Sequence, residues 1–543
     1  MPATPDTLDF RYGPGVITVD GAGVIRRMEH DSRPGASYLL EAGTITVQLA
    51  GGQGRWEQTG WQADSDEVEV VWEAAGLLRL AVRHTFAAGW GMRLAVTNIG
   101  ATALNLNDVR LALVAGDRYV PWGLAAGAEA AYSLHPLDGA GPVLGGLLKL
   151  GSVQSLGPDG ASLGRIDLPP AGRYILVWQW SWYATPRALG AGRHPGVPVS
   201  TYLIAGQSAR IHAGSDVAVL APDRHLVVAP DGESTELIPS GPGDYPVELR
   251  SALGAVGYRL HCAAPAENLL ARLADRLLGG ARTPAGVIRI DTAAAGLVIQ
   301  HAIASGIEHT DEAAEALDLL TSRLRTAPTR DPLSAAYLCG EAVRIDEAEL
   351  IDVAVEAIGA VELVEPGLGL AALRLRVSSL VMGRDIGTVL DGLLSLAGVP
   401  VSDAEPADAD AALHRDIGRL ELMAVLTSSR RQAAPQPDLI AHVARIGVWL
   451  GAGLKGEPVR QLGLVRLAQL GAVLELLPEQ LEPAFHRRWP CPPSELAHRA
   501  RAELLSRLQR TLSNGSGQLA AGQLAAEGLT AAAWLALAQP HNS

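Results

Sequence analysis

The stretch Val256-Gly-Tyr-Arg-Leu-His-Cys-Ala-Ala-Pro265-Ala-Glu-Asn-Leu-Leu-Ala-Arg-Leu-Ala-Asp-Arg-Leu-Leu278 changes its pattern part-way along. Up to His261 apolar and polar residues alternate with period two, as in a half-buried strand. After Pro265 the residues Leu269, Leu270, Leu273, Leu277 and Leu278 fall on one helical stripe. A proline is accepted in the first turn of a helix, where its missing N–H is not needed. One chain therefore carries two kinds of structure, with the seam near residue 264.

Upstream of the seam the period-two pattern persists. It is read at Thr44–Leu49, Glu67–Trp72, Leu77–Phe86, Met92–Asn98, Leu104–Val114 and Tyr174–Tyr183. Gly, Pro, Asn and Asp break about fifteen such runs, which makes residues 1–263 a large antiparallel sandwich and not one small module. The stretch Asp216–Cys262 is either its last strands or a small appended sandwich. Downstream, residues 264–543 read as about twelve helices, opened by caps such as Asp291-Thr292, Thr310-Asp311, Asp331-Pro332 and Asp346-Glu347. Their apolar faces are wide, which fits helical pairs packed in two layers. No 34- or 40-residue repeat supports a solenoid.

The composition excludes several classes. The chain has 543 residues, 48% hydrophobic and 19% charged, so disorder is ruled out. Its net charge of −14 lacks the basic face that nucleic-acid binding requires. The same acidity gives no attraction to an anionic membrane surface, and no apolar run is long enough to span a bilayer. The N-terminal residues show no signal-peptide pattern. Cys262, Cys339 and Cys491 form no CxxC pair, which suits a reducing compartment and neither a disulfide framework nor a zinc site. Lys149 and Lys455 are the only lysines, an arginine bias like that of a GC-rich bacterium. The expectation is a soluble, cytoplasmic bacterial protein without metal or cofactor.

A local passage extends this. Leu80-Ala-Val-Arg-His-Thr-Phe86 followed by Met92-Arg-Leu-Ala-Val-Thr-Asn98-Ile-Gly100 resembles the strand-turn-strand passage of mutarotase-like sandwiches. The order of sandwich then helices resembles the glycoside hydrolases and phosphorylases that join a β super-sandwich to an (α/α)6 toroid. This resemblance implies an antiparallel β-sandwich followed by an all-α helical-hairpin toroid. It also implies catalytic carboxylates on toroid loops facing a central cleft.

The densest constellation is Trp178-Gln-Trp180-Ser-Trp182-Tyr183-Ala-Thr-Pro-Arg187, followed by Arg193 and His194. On a strand the three indoles share one face, and Tyr183 lies on the other. Such a row suits stacking on a sugar, and it equally suits a core between sheets. The loop with Arg187, Arg193 and His194 is the expected place for polar contacts. Of the 24 aromatics, 19 precede residue 265, so the helical half lacks the aromatic lining of a sugar-gripping cleft.

Glycoside cleavage needs two carboxylates, one of them protonated in an apolar setting. The candidates are Asp291, Glu341, Glu365 and Asp385. Glu341 comes first because it follows Tyr337-Leu-Cys-Gly340, and Asp291, also readable as a helix cap, comes second. No phosphate loop, nucleophile elbow or HExxH zinc motif is present. His135 and Asp138, flanking Pro136-Leu137, read as a turn more readily than as a dyad. Two functions remain. One is a carbohydrate-active enzyme, a hydrolase or phosphorylase with Glu341 and Asp291 as its acids. The other is a non-catalytic assembly or sugar-binding protein that uses both halves as surface, for a protein partner or a second copy.

Overall fold

The computed structural model describes residues 7–539 apart from 49–55, 191–195, 213–216, 281–289, 307–309, 398–408, 428–456, 459–461, 478–491 and 515–525, and apart from the short gaps 75, 88, 140, 158, 199, 252–253, 328, 330, 360 and 362–363. The fold is a large antiparallel β-sandwich followed by a helical domain, as the change at Pro265 requires. Two sheets make the sandwich. One has seven strands, from Thr7–Tyr12 at one edge through Leu39–Gln48 and Leu104–Ala115 to the short Ser155–Gly157. The other has nine, from Trp56–Ala63 through Trp90–Asn98, Arg173–Tyr183, Val143–Leu150, Glu129–Pro136 and Tyr119–Ala126. Its last member is the two-residue strand Glu457–Pro458, which arrives from the helical half and pairs with Trp122 and Gly123.

Strands Tyr202–Ile204, Gly254–Ala263, Gly243–Ser251 and Ala218–Leu220 form a further four-stranded sheet, and Ala209–Ile211, Ser234–Pro239 and Leu226–Asp231 a three-stranded one. Between them Ile211, Leu237, Tyr245, Val247, Leu260 and Cys262 are buried, together with Trp122 and Val143 from the outer face of the nine-stranded sheet. The stretch left open between two readings thus forms a pair of sheets of its own, which begins at Tyr202.

Among the described residues, eleven helices follow Pro265. Six of them close a ring. Ala293–Ala304 packs on Pro332–Arg344, which packs on Leu368–Val381, then Ala409–Thr427, Leu464–Glu475 and Ala526–Ala538, and the last returns to the first. Their sequences explain this position. Ala293–Ala304 and Ala526–Ala538 are rich in Ala and mostly apolar, so Ala293–Ala302 and Ala531–Ala536 are buried all round and let neighbours approach closely. The helices Ala266–Gly280, Thr310–Thr326, Glu349–Gly359, Gly387–Ala397 and Pro493–Asn514 pack outside the ring. On the first, Leu269, Leu270, Leu273 and Leu278 are buried and Leu277 is partly so, which is the stripe read from sequence. No described helix is long and apolar enough to cross a membrane.

Besides the Glu457–Pro458 pairing, the two halves meet at further places among the described residues. Val120 of the nine-stranded sheet sits in the helical core, Gln509 accepts a hydrogen bond from the Ala264 amide (2.8 Å), and Pro493–Asn514 lies across strands Tyr202–Ile204 and Gly254–Ala263. The last contact creates the groove described next.

Candidate functional site

The tryptophan strand obeys its pleat. Trp178 and Trp180 point between the two large sheets and are 0% exposed. Trp180 stacks on Trp90 (centroids 4.8 Å) and lies edge-on to Tyr132 (6.1 Å). Gly146 passes directly beneath it, where a Cβ would sit 2.7 Å from the indole, so only glycine fits. Trp182 is half-buried among Tyr12, His30 and Tyr38. The expected sugar platform is therefore corrected for Trp178 and Trp180. A fully buried indole has no face to offer a ligand, and the apolar gain of filling the sandwich core is what placed it there. Tyr183 lies on the opposite face against Gly145 and Leu189, turned away from the indoles. Arg187 is exposed on the short helix Pro186–Gly190. Arg193 and His194 lie outside the described residues.

Glu341 is buried, but in polar company. Gln300 Nε2 donates to its Oε1 (2.6 Å), Arg344 donates through Nε (3.0 Å) and Nη2 (2.6 Å), and Thr321 Oγ1 donates at 3.3 Å. Asp318 also receives Arg344. The carboxylate is thus engaged by donors and a guanidinium within an ion-pair network, and not set in the apolar pocket that a general acid occupies. The apolar setting expected from Tyr337-Leu-Cys-Gly340 is thereby corrected. Glu341→Gln is expected to cost about 2–3 kcal/mol of stability. That is below the usual cost of breaking a buried pair because Arg344 keeps Asp318 and is 22% exposed. Chemical denaturation checks this, and unchanged stability with lost turnover would restore the acid role.

Asp291 does not join Glu341. It is 67% exposed and paired with Arg323 (3.0 Å), and the true cap of the helix is Thr292, whose hydroxyl accepts from the Ala295 amide. Glu341 meets the same helix at Gln300, near its other end. The two carboxylates share no partner, since Asp291 pairs with Arg323 and Glu341 with Arg344 and Gln300, so they do not form the facing pair that a glycosidase uses. Glu365 is exposed, and Asp385 caps Gly387.

The side chains that do converge were not singled out from sequence. Ser200, Tyr202, Gln207 and Ser208 form one wall of a groove of about 460 Å³, and Glu495, His498 and Arg499 of helix Pro493–Asn514 form the other. Gln207 Oε1 accepts from the Ile204 amide (2.9 Å), which identifies that atom as oxygen. It lies 3.0 Å from His498 Nε2. An oxygen cannot donate, so Nε2 carries the hydrogen and the neutral imidazole has its lone pair on Nδ1. Burial, and next the Arg501 guanidinium, hold the His498 pKa below its ordinary value, against the weaker pull of Glu475. His498 is thus a neutral base at pH 7, in the same groove as the buried Arg499 and the exposed Glu495. No group of three metal-ligating side chains occurs among the described residues.

The sandwich-and-ring fold has a solved counterpart. The chain is similar to a polysaccharide lyase, with TM-score 0.68 and 10% identity over 94% of this chain and 93% of that one. Heparinase III aligns over 47% of this chain and 41% of its own, with TM-score 0.20 and 9% identity. No family model matches the chain, and no curated protein matches it in sequence. At such identity the likeness is one of fold, and the site has to be argued from its own side chains.

Proposed function

We propose that this chain is carbohydrate-active and cleaves an acidic polysaccharide by β-elimination in the groove between the appended sheets and helix Pro493–Asn514. The observation that carries the reading is the neutral His498 with its free Nδ1 lone pair in one groove with Arg499. A fold shared with a polysaccharide lyase supports it. Elimination needs a base for the proton on C5 and a cation that offsets charge on the adjoining carboxylate. The C5–H electrons form the C4–C5 double bond, the C4–O bond breaks, and the proton passes to the departing oxygen. Hydrolysis instead calls for two carboxylates. Among the described residues the groove offers one, Glu495, so elimination suits it better than hydrolysis or phosphorolysis.

The test is incubation with panels of uronate-containing and neutral polysaccharides, read by ultraviolet absorbance of the new double bond and by mass spectrometry. Products whose masses sum to the substrate support elimination, whereas an added water or phosphate means hydrolysis or phosphorolysis. His498→Ala is expected to lower the rate by about a hundredfold, the usual share of a general base, without loss of fold. No product from any member of the panel would sink the enzyme reading and leave sugar binding without turnover.

A further inference from the structure

The groove wall opposite helix Pro493–Asn514 holds polar atoms that the elimination step does not use. Gln207 Oε1 is taken up by the Ile204 amide and by His498 Nε2–H. The nitrogen of an amide side chain carries two hydrogens of its own. Gln207 Nε2 donates to no group among the described residues, and Gln207 lines the groove. Ser208, the next lining residue, is set the other way. Its hydroxyl donates to Glu236 Oε1, since a carboxylate only accepts, and Ser208 Oγ is left with lone pairs alone. One wall thus offers a donor and an acceptor from adjacent residues. Neighbouring hydroxyls of a sugar ring match both, because a hydroxyl accepts and donates, whereas a carboxylate could answer only the donor. The imidazole then sets this wall relative to the base. Nε2–H of His498 points to Gln207, and the Nδ1 lone pair leaves the ring on nearly the opposite side. The sugar that gives its C5 proton to Nδ1 therefore stands across the imidazole from the sugar that Gln207 can hold.

We propose that Gln207 Nε2 and Ser208 Oγ form a second sugar subsite, which takes two adjoining hydroxyls of the sugar next to the one that reacts. This rests on the reading of the groove as the site. The substrate class narrows accordingly to polymers in which the neighbour of the uronate carries a free pair of adjoining hydroxyls. Gln207 couples the two subsites, since its oxygen holds the base and its nitrogen holds the chain. Fixing the neighbour sets the reactive sugar in register with Nδ1, the kind of placement on which turnover depends strongly.

The experiment titrates the full ¹⁵N-labelled chain with tetrasaccharides of the uronate-containing panel and follows two signals by nuclear magnetic resonance. One is the side-chain amide pair of Gln207, assigned by its loss in Gln207→Glu, and the other is the His498 ring, assigned by its loss in His498→Ala. The expected result is that both signals move and saturate together with at least one tetrasaccharide. Ser208→Ala leaves the His498 contact in place and should raise the titration midpoint about three- to tenfold, the share of one hydrogen bond, at unchanged melting temperature. A His498 signal that moves while the Gln207 pair stays still overturns the subsite and leaves the groove as the site. An unchanged midpoint in Ser208→Ala overturns the paired-hydroxyl match. If the Gln207 pair moves and the midpoint rises but no polysaccharide is cleaved, the subsite stands and the elimination reading fails. If neither signal moves with any tetrasaccharide, the subsite and the reading of the groove as a sugar site fall together.

Discussion

Between pH 6 and 8.5 the protein should lose about 3 kcal/mol of stability relative to its Glu421→Gln variant. Glu421 lies on helix Ala409–Thr427, fully buried, and its Oε2 accepts from the amides of Gly367 (2.5 Å) and Gly369 (3.2 Å) at the start of the next ring helix. Its Oε1 has no hydrogen-bond partner among the described residues. Two effects compete. Helix N-terminal amides favour a carboxylate, whereas burial disfavours it. Burial wins and pushes the pKa up to about 8. The folded protein therefore holds a proton that the unfolded chain releases near pH 4.5. That extra stability is complete below about 4.5 and is lost as pH rises through about 8, at roughly 1.4 kcal/mol per pH unit. The variant keeps the shape and an accepting oxygen but cannot ionise. Subtraction of the two curves removes every other group. Among those is His84, whose burial lowers its pKa to about 4 and whose contribution runs the opposite way. Urea denaturation of both proteins at the two pH values decides the matter. A pH-independent difference would mean that Glu421 is ionised in the fold.

Glu421 was not among the carboxylates singled out from the sequence, although its signal was there. It stands alone in the apolar run Leu420-Glu-Leu-Met-Ala-Val425, and a lone acid in such a run is a readable sign of a buried carboxyl. The architecture was open to view because it follows from period and composition. Alternation along Arg173–Tyr183 forced alternate faces, and the run Ala293–Ile299, apolar at every position, could only be interior. The site was not open to view in that way. Gln207 and His498 are 291 residues apart and meet only because an outer helix crosses one edge of a small sheet. No local motif carries that information. Glu341 was half legible. The spacing of Arg344, three residues on, was a signal of an ion pair that the reading of its apolar neighbours passed over, and Gln300 reaches Glu341 from another helix. Apolar neighbours in sequence are a poor guide to the neighbours of a helical side chain, since those one and two residues away point elsewhere.

Trp180→Ala separates core from platform. As core, the indole stacks on Trp90 and Trp178, receives the edge of Tyr132 and covers Gly146, with no surface exposed. Its removal leaves a void that these partners cannot close, because strand pairing on both sides fixes their backbones. The expected loss is about 3–5 kcal/mol, the usual range for deletion of a buried aromatic. For a domain that starts with 5–15 kcal/mol this is a large fraction of the total. Sugar binding at the groove should persist in whatever fraction remains folded, since Trp180 lies between the large sheets and the groove lies beyond the appended one. Denaturation midpoints and saccharide binding, measured on the same preparation, read both quantities. A stable variant that no longer binds would return the ligand to the tryptophan strand. A destabilised one that still binds would fix Trp178 and Trp180 as the centre of the sandwich core.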